Sequence, residues 1–194
     1  LKRSGPALVV ERDTPVESKP IEDVRCRFRT CYPTEVLPLD LAALNYSVKG
    51  DGSLLSLRLE MSADGHLGEL ELSKLRLHFA GERYISQMLY LSLLRNLEGI
   101  ELIPLDGAGK PIDGVSGKPM AFKIPGDRVT PVGFAEEEAL IPYPLNTFRG
   151  YRYLQEYFAF QDKFLFVDVN GQDSLNALPQ DTLKQMRGLE LRFD

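Results

Sequence analysis

The residues that could do chemistry in this 194-residue chain are few and scattered. There are two histidines. His66 follows Asp64-Gly65 in a turn, and His78 sits beside Arg76 on the strand face opposite Leu75, Leu77 and Phe79. A metal centre needs a second ligand at strand or helical spacing, and neither histidine has one. A hydrolase would need His66 or His78 beside a Ser, a Cys or a carboxylate, and nothing in the spacing supplies that pair. Gly107-Ala108-Gly109-Lys110-Pro111 has the look of a phosphate loop, but it lacks the Gly spacing and the following Ser/Thr, and Pro111 has no N–H to donate. It reads as a turn. Asp168-Val169-Asn170-Gly171 places Gly too early for a calcium loop and has no Glu at the twelfth position. Glu136-Glu137-Glu138 reads as a solvated patch. The sequence offers no active site.

The elements around these residues are mostly strands. Val24, Cys26, Phe28 and Thr30 alternate with Arg25, Arg27 and Arg29, so Cys26 is expected inward and Cys31 on the Arg side. A disulfide across opposite faces of one short strand is poor geometry, and free thiols in a reducing cytosol are expected. Leu44, Tyr46 and Val48 share a strand face; Gly50-Asp51-Gly52 turns; Leu55-Leu57-Leu59-Met61 alternates with Ser56-Arg58-Glu60-Ser62. Leu75-Leu77-Phe79 gives a further strand. Strands joined this tightly pair antiparallel most simply. Glu82–Leu97 is the one long helix, with Gly99 just past its end, and its apolar residues wrap most of the circumference, which predicts burial on several sides.

Residues 104–150 hold seven Pro and seven Gly, so they should be turn-rich, with short edge strands at Met120–Ile124 and Arg128–Phe134. Then comes GYRYLQEYFAFQDKFLFVDV, from Gly150 to Val169, with seven of the chain's eighteen Phe and Tyr. Tyr151, Leu154, Tyr157 and Phe158 fall on one helical face, and Phe164 to Val167 reads as a strand buried on both sides. Tyr151, Leu154, Tyr157, Phe158, Phe164 and Phe166 are therefore expected to form structural core. Leu189–Phe193 echoes Leu57–Met61, as a shared amphipathic strand pattern or an internal duplication would both explain.

These readings give an α+β fold, mainly β. Antiparallel sheet lobes carry one well-buried helix in the first lobe, and a short aromatic helix opens the second. The expected division is a first β-rich lobe over 1–103, a Pro/Gly-rich connecting segment over 104–149, and the start of a second lobe over 150–194. The chain does not begin with Met and its strand pattern runs to Asp194, so it is expected to be a piece of a longer protein.

Apolar content of 43% and charged content of 26% are ordinary for a globular domain, long enough to bury roughly 70% of its unfolded surface. A net charge of −5 argues against nucleic acid as a partner, since duplex affinity comes from neutralising phosphates. No apolar run approaches the length that spans a bilayer, so direct membrane insertion is not expected.

The aromatic segment carries a resemblance. GYRYLQEYFAFQDKFLF, with Glu137–Pro144 and Gly150 upstream and Pro20–Thr30 further back, resembles the TssF (ImpG/VasA) family, baseplate wedge proteins of bacterial type VI secretion systems. Gln161 stands where that family usually has Pro, and Glu11-Arg12-Asp13 replaces its usual turn; both touch turn geometry only. The resemblance implies a structural protein without catalysis or cofactor. It also implies assembly with TssG, TssK and TssE-like proteins and a second TssF-like copy, around the spike and on a platform that starts the contractile tail at the cytoplasmic face of the envelope. The other reading is a carbohydrate- or ligand-binding β-sandwich module of a larger protein, which would show a concave aromatic pocket.

Two surfaces are candidates for partner contact. Arg25, Arg27 and Arg29 make a cationic stripe, either a solvated face or a match for an acidic partner. Tyr143, Phe148 and Arg149 put aromatic and Arg side chains in a loop, either at an interface or anchoring that loop on its own domain.

Overall fold

The last strand of the chain is its most buried. In the structure, a computed structural model, residues 7–50, 52–62, 64–70, 72–114, 117–142, 144, 146 and 148–194 are described. In order, the strands are β1 (Leu8–Val10), β2 (Pro15–Glu17), β3 (Arg27–Arg29), β4 (Thr34–Val36), β5 (Leu39–Lys49), β6 (Gly52–Met61) and β7 (Lys74–His78). Helix α1 (Arg83–Arg95) follows, then β8 (Gly99–Leu105), β9 (Phe122–Pro125) and β10 (Val129–Pro131). Helix α2 (Arg149–Ala159), β11 (Phe166–Asn170), the short α3 (Asp173–Asn176) and α4 (Gln180–Gln185), and β12 (Gly188–Phe193) complete the chain.

All pairings are antiparallel. β12 lies inside the largest sheet, in the order β5-β6-β12-β8-β9, while β10-β11-β7 form a second sheet and β1-β4 and β2-β3 two small ribbons. Leu189, Leu191 and Phe193 each stand between two apolar neighbours: Leu59 and Pro104, Leu57 and Leu102, Leu55 and Ile100. The echo between Leu57–Met61 and Leu189–Phe193 is thus two neighbouring strands sharing one face. The opposite face is a polar ladder, in which Glu190 accepts from Ser56 and Arg192 at 2.9 and 2.8 Å and lies 3.7 Å from Arg58. Buried side chains from this sheet join Leu75, Val129, Val167 and Val169 of the second in a single apolar cluster.

The division at residue 150 does not separate the sheets. β12 completes a sheet begun by β5 and β6, and β11 pairs along its whole length with β7. Strands from before and after residue 150 are thus interleaved in both larger sheets. The 104–149 segment supplies the edge strands β9 and β10, close to where Pro and Gly placed them.

Helix α1 is where expected but is less buried than expected. Ser86 and Leu93 are buried and Leu89, Tyr90 and Leu94 pack against the core, while Tyr84, Ile85, Met88 and Leu91 face outward. A helix that is apolar all round fills its far side only if a second layer covers it, and α1 packs on one side, against β10 and the turn at 126–128. Its end runs so close to that turn that a Cβ at Gly126 would meet the Leu97 carbonyl oxygen. Asn96 caps the helix, and Gly99 opens β8 instead of closing α1.

In β5 one extra residue between Leu41 and Ala43 shifts the register against β6. That bulge keeps Leu41, Leu44, Tyr46 and Val48 on one face despite their odd spacing. All four are exposed, because β5 is the sheet's outer strand.

Candidate functional site

Helix α2 is built the wrong way round for a core helix. Arg152 and Glu156, one turn apart, point inward and are buried, as is Lys163 in the 3₁₀ turn Gln161–Phe164 that follows. Glu156 is 0% and Lys163 2% exposed, and they form an ion pair. Glu156 Oε1 also accepts the backbone N–H groups of Leu140 and Ile141 at 2.8 and 3.3 Å. Arg152 donates to the carbonyls of Phe134 and Ala135, both at 3.2 Å. The loop from Gly133 to Ile141 has little regular structure to satisfy its backbone, and these side chains do that work. Gly133, at φ +100°, lets the loop pass beside Lys163, where a Cβ would sit 3.1 Å from the Lys163 carbonyl oxygen.

A second polar group braces the same loop. Glu138 accepts from Gly133 N at 2.7 Å and from Arg76 at 3.0 Å, and Arg76 holds Asp168 through two bonds of 2.7 Å. Glu138 is therefore a half-buried member of this network and not part of a solvated acidic patch. Burial pushes the Asp168 carboxyl up, but the Arg76 bonds and Lys74, 3.6 Å away, outweigh it and hold it below the usual carboxylate range. The Glu190 carboxyl is lowered in the same way: burial raises it, and the bonds from Arg192 and Ser56 more than compensate. A depressed folded-state value stabilises the fold above the unfolded carboxylate range and loses that contribution as pH falls. Thermal midpoints should therefore drop as pH is lowered through about 4 and beyond. Asp168→Asn should be less stable than the parent at pH 7 and converge with it in acid, which melts recorded across pH would show.

With its polar side inward, α2 presents its apolar side to water. Phe158 is 78%, Tyr151 59% and Leu154 56% exposed, Tyr157 is exposed, and Phe148 ahead of the helix is 71% exposed. The expectation that Tyr151, Leu154, Tyr157 and Phe158 form core is thus corrected. They share the face their spacing indicated, but Arg152 and Glu156 hold the core side. Phe164 and Phe166 are half-buried: Phe164 contacts the Phe134 and Tyr157 rings at 5.2 and 6.2 Å, and Phe166 stacks on His78 at 4.2 Å. The strand begins at Phe166 and not at Phe164, because 161–164 make a 3₁₀ turn.

The other candidates are dispersed. Arg25 and Arg27 both lie 3.5 Å from Glu17 of β2, and Arg29 lies 3.3 Å from Asp13 in the turn before it, so the stripe is partly offset by two carboxylates. Cys26 is exposed and not inward, since a two-stranded ribbon has no covered side; both cysteines are free thiols. Tyr143 and the side chain of Arg149 lie outside the described residues. His66 is half-buried and 3.2 Å from Glu69. Asp106 folds the Gly107–Lys110 turn by accepting from Ala108 and Lys110 N–H groups at 2.8 and 2.9 Å, and those bonds lower its pKa.

Among the described residues no three His, Cys, Asp or Glu side chains are grouped to hold a metal ion, and no helix is long and apolar enough to cross a membrane. Two concave features are a notch of about 190 Å³ between α1 and α2, lined by Tyr90, Tyr157, Phe164 and Gln161, and an open polar hollow of about 380 Å³ at Glu60, Asp64, Asp106 and Arg187. Organic ligands fill apolar cavities of roughly 300–1,000 Å³, and the notch lined by Tyr90, Tyr157 and Phe164 is smaller than that.

The geometry on the chain's surface is thus a polar-locked helix with an outward aromatic face on a β-rich frame. The family model "Type VI secretion system, TssF" matches residues 3–192, and the chain belongs to that family. It is 29% identical over 165 residues to the type VI secretion system component TssF1 of Pseudomonas aeruginosa, covering 78% of this chain and 25% of that protein. It also superimposes, with a TM-score of 0.75 and 27% identity, on a chain of the type VI secretion system TssK-TssF-TssG baseplate subcomplex, over 99% of this chain and 34% of that one. The chain thus spans between a quarter and about a third of the length of these relatives.

Proposed function

We propose that this chain is a structural part of a type VI secretion baseplate wedge, without catalysis of its own, and that it docks neighbouring baseplate proteins through the aromatic face of α2. The observation that carries this is the inverted helix. Phe148, Tyr151, Leu154 and Phe158 each forgo part of the about 1.5–3 kcal/mol that full burial of such a side chain is worth, and a covering partner would recover some of it. Membership of the TssF family and similarity to a chain of a TssK-TssF-TssG subcomplex point to TssG- and TssK-like proteins as the partners. TssE-like proteins and a second TssF-like copy complete the wedge in this reading. The site of action is the cytoplasmic side of the envelope, with the spike and tail tube contacted indirectly. The β-sandwich ligand module is disfavoured by the family.

The test is co-purification of the chain, within its full-length protein, with the TssG and TssK homologues of the same bacterium. A stable complex is expected; its absence would overturn the proposal.

A further inference from the structure

We infer that Arg152, Glu156 and Lys163 are positioning residues whose buried polarity sets which way α2 faces, so that the apolar face stays outward for docking. The inference rests on the reading of α2 as a docking helix and extends it to what keeps that helix poised. An amphipathic helix packed on a β-rich frame ordinarily turns its apolar side in. Here Tyr151, Leu154 and Phe158 are outward while a carboxylate and an ammonium are sealed inside. Rolling α2 by half a turn would bury the rings, but it would carry Arg152 and Glu156 into water. It would then strip Phe134 and Ala135 carbonyls and Leu140 and Ile141 amides of their partners and leave the Lys163 ammonium buried beside nothing. An unpaired buried ion is among the costliest defects a core can hold, so the rolled state is closed off. Buried ion pairs can often be replaced by apolar groups without loss of stability, and here their use is to choose one of two packings.

The neighbours of the lock fit this role. Its loop is fixed independently by Glu138, through Gly133 N and Arg76, and Arg76 is fixed by Asp168 on β11. The frame that receives α2 is therefore rigid. Tyr153, on the boundary between the two faces, donates to the Phe134 carbonyl at 2.8 Å and its ring lies against the Arg152 guanidinium and the Phe134 ring. These contacts tie the helix at its flank in the same setting.

The test needs no partner. In the full-length protein with Cys26, Cys31 and every other cysteine replaced by Ser, Phe158→Cys places a single thiol on the outward face, and its labelling by a thiol reagent reports which way that face points. The Arg152→Met/Glu156→Met/Lys163→Met triple replaces all three members of the lock without leaving an unpaired charge. Labelling of the position-158 thiol should then slow by about tenfold or more as the face turns in. Lys163→Arg, which keeps a cation beside Glu156, should label at the parent rate. An unchanged rate in a folded Arg152→Met/Glu156→Met/Lys163→Met protein would overturn the inference. Should that variant not fold, hydrogen exchange on the parent chain decides: the Leu140 and Ile141 amides should be protected by about tenfold or more, and free exchange at both would overturn the lock. The docking reading fails separately, if the turned-in variant still captures the TssG and TssK homologues at parental affinity.

Discussion

Lys163→Ala should destabilise the chain by about 3–5 kcal/mol, the largest loss expected from any single truncation on its surface-proximal helices. Lys163 is 2% exposed and its ammonium pairs with Glu156, which has no exposure at all. Removing the cation leaves the carboxylate in the interior with two backbone N–H groups as its remaining donors, those of Leu140 and Ile141. Those bonds soften the defect but do not neutralise the charge. For a domain whose whole stability is about 5–15 kcal/mol, such a loss would leave a measurable unfolded fraction. Equilibrium urea unfolding at pH 7 measures it directly. The paired replacement, Glu156→Met with Lys163→Met, should lose far less than the single one, and that inequality separates an ion-pair effect from a packing effect. A Lys163→Ala protein within about 0.5 kcal/mol of the parent would show that water reaches the pair.

What the sequence reveals and conceals here follows from what periodicity measures. The alternation in Leu55–Met61 and Leu189–Phe193 identifies both strands and their buried sides, because a sheet face covered by core permits little else. Their adjacency is a fact of register between residues more than a hundred positions apart, and no local pattern encodes it. That is why the chain reads as two lobes and folds with β12 in the middle of the first. In α2 the spacing of Tyr151, Leu154 and Phe158 shows correctly that they share a face, but periodicity is blind to sign. A stripe of rings is compatible with an inward or an outward setting, and composition favours inward. The local signal for the reverse was present in Arg152 and Glu156, two ionic residues one turn apart, followed by Lys163. Only the tertiary structure shows that the three meet. The same blindness applies to α1, where residues apolar on all sides do not say how many sides are covered. For Arg25, Arg27 and Arg29 the missing information was the facing strand and the turn before it, which supply Glu17 and Asp13.

Leu154→Asp together with Phe158→Asp should abolish capture of the baseplate partners while leaving the chain's own stability intact. In the free chain both side chains stand mainly in water, so replacing them removes little packing, and their effect on unfolding should stay within about 0.5 kcal/mol each. In a complex they would lie at the centre of the covered patch, flanked by Tyr151 and Phe148, where aromatic and apolar anchors carry most of the binding energy. Truncation of such an anchor costs about 2–4 kcal/mol, and a carboxylate sealed against an apolar partner adds its own desolvation, so a loss of roughly a thousandfold in affinity is expected for the pair. The contrast with the core makes the prediction sharp. Substitution at Leu191, which is wholly buried between Leu57 and Leu102, would weaken binding only by unfolding the protein, and melting would reveal it. A Leu154→Asp/Phe158→Asp protein that melts like the parent and no longer retains TssG or TssK homologues identifies the face of α2 as the contact. One that melts like the parent and binds as before moves the contact elsewhere, and the exposed stripe of α1 at Tyr84, Ile85, Met88 and Leu91 becomes the surface to test next.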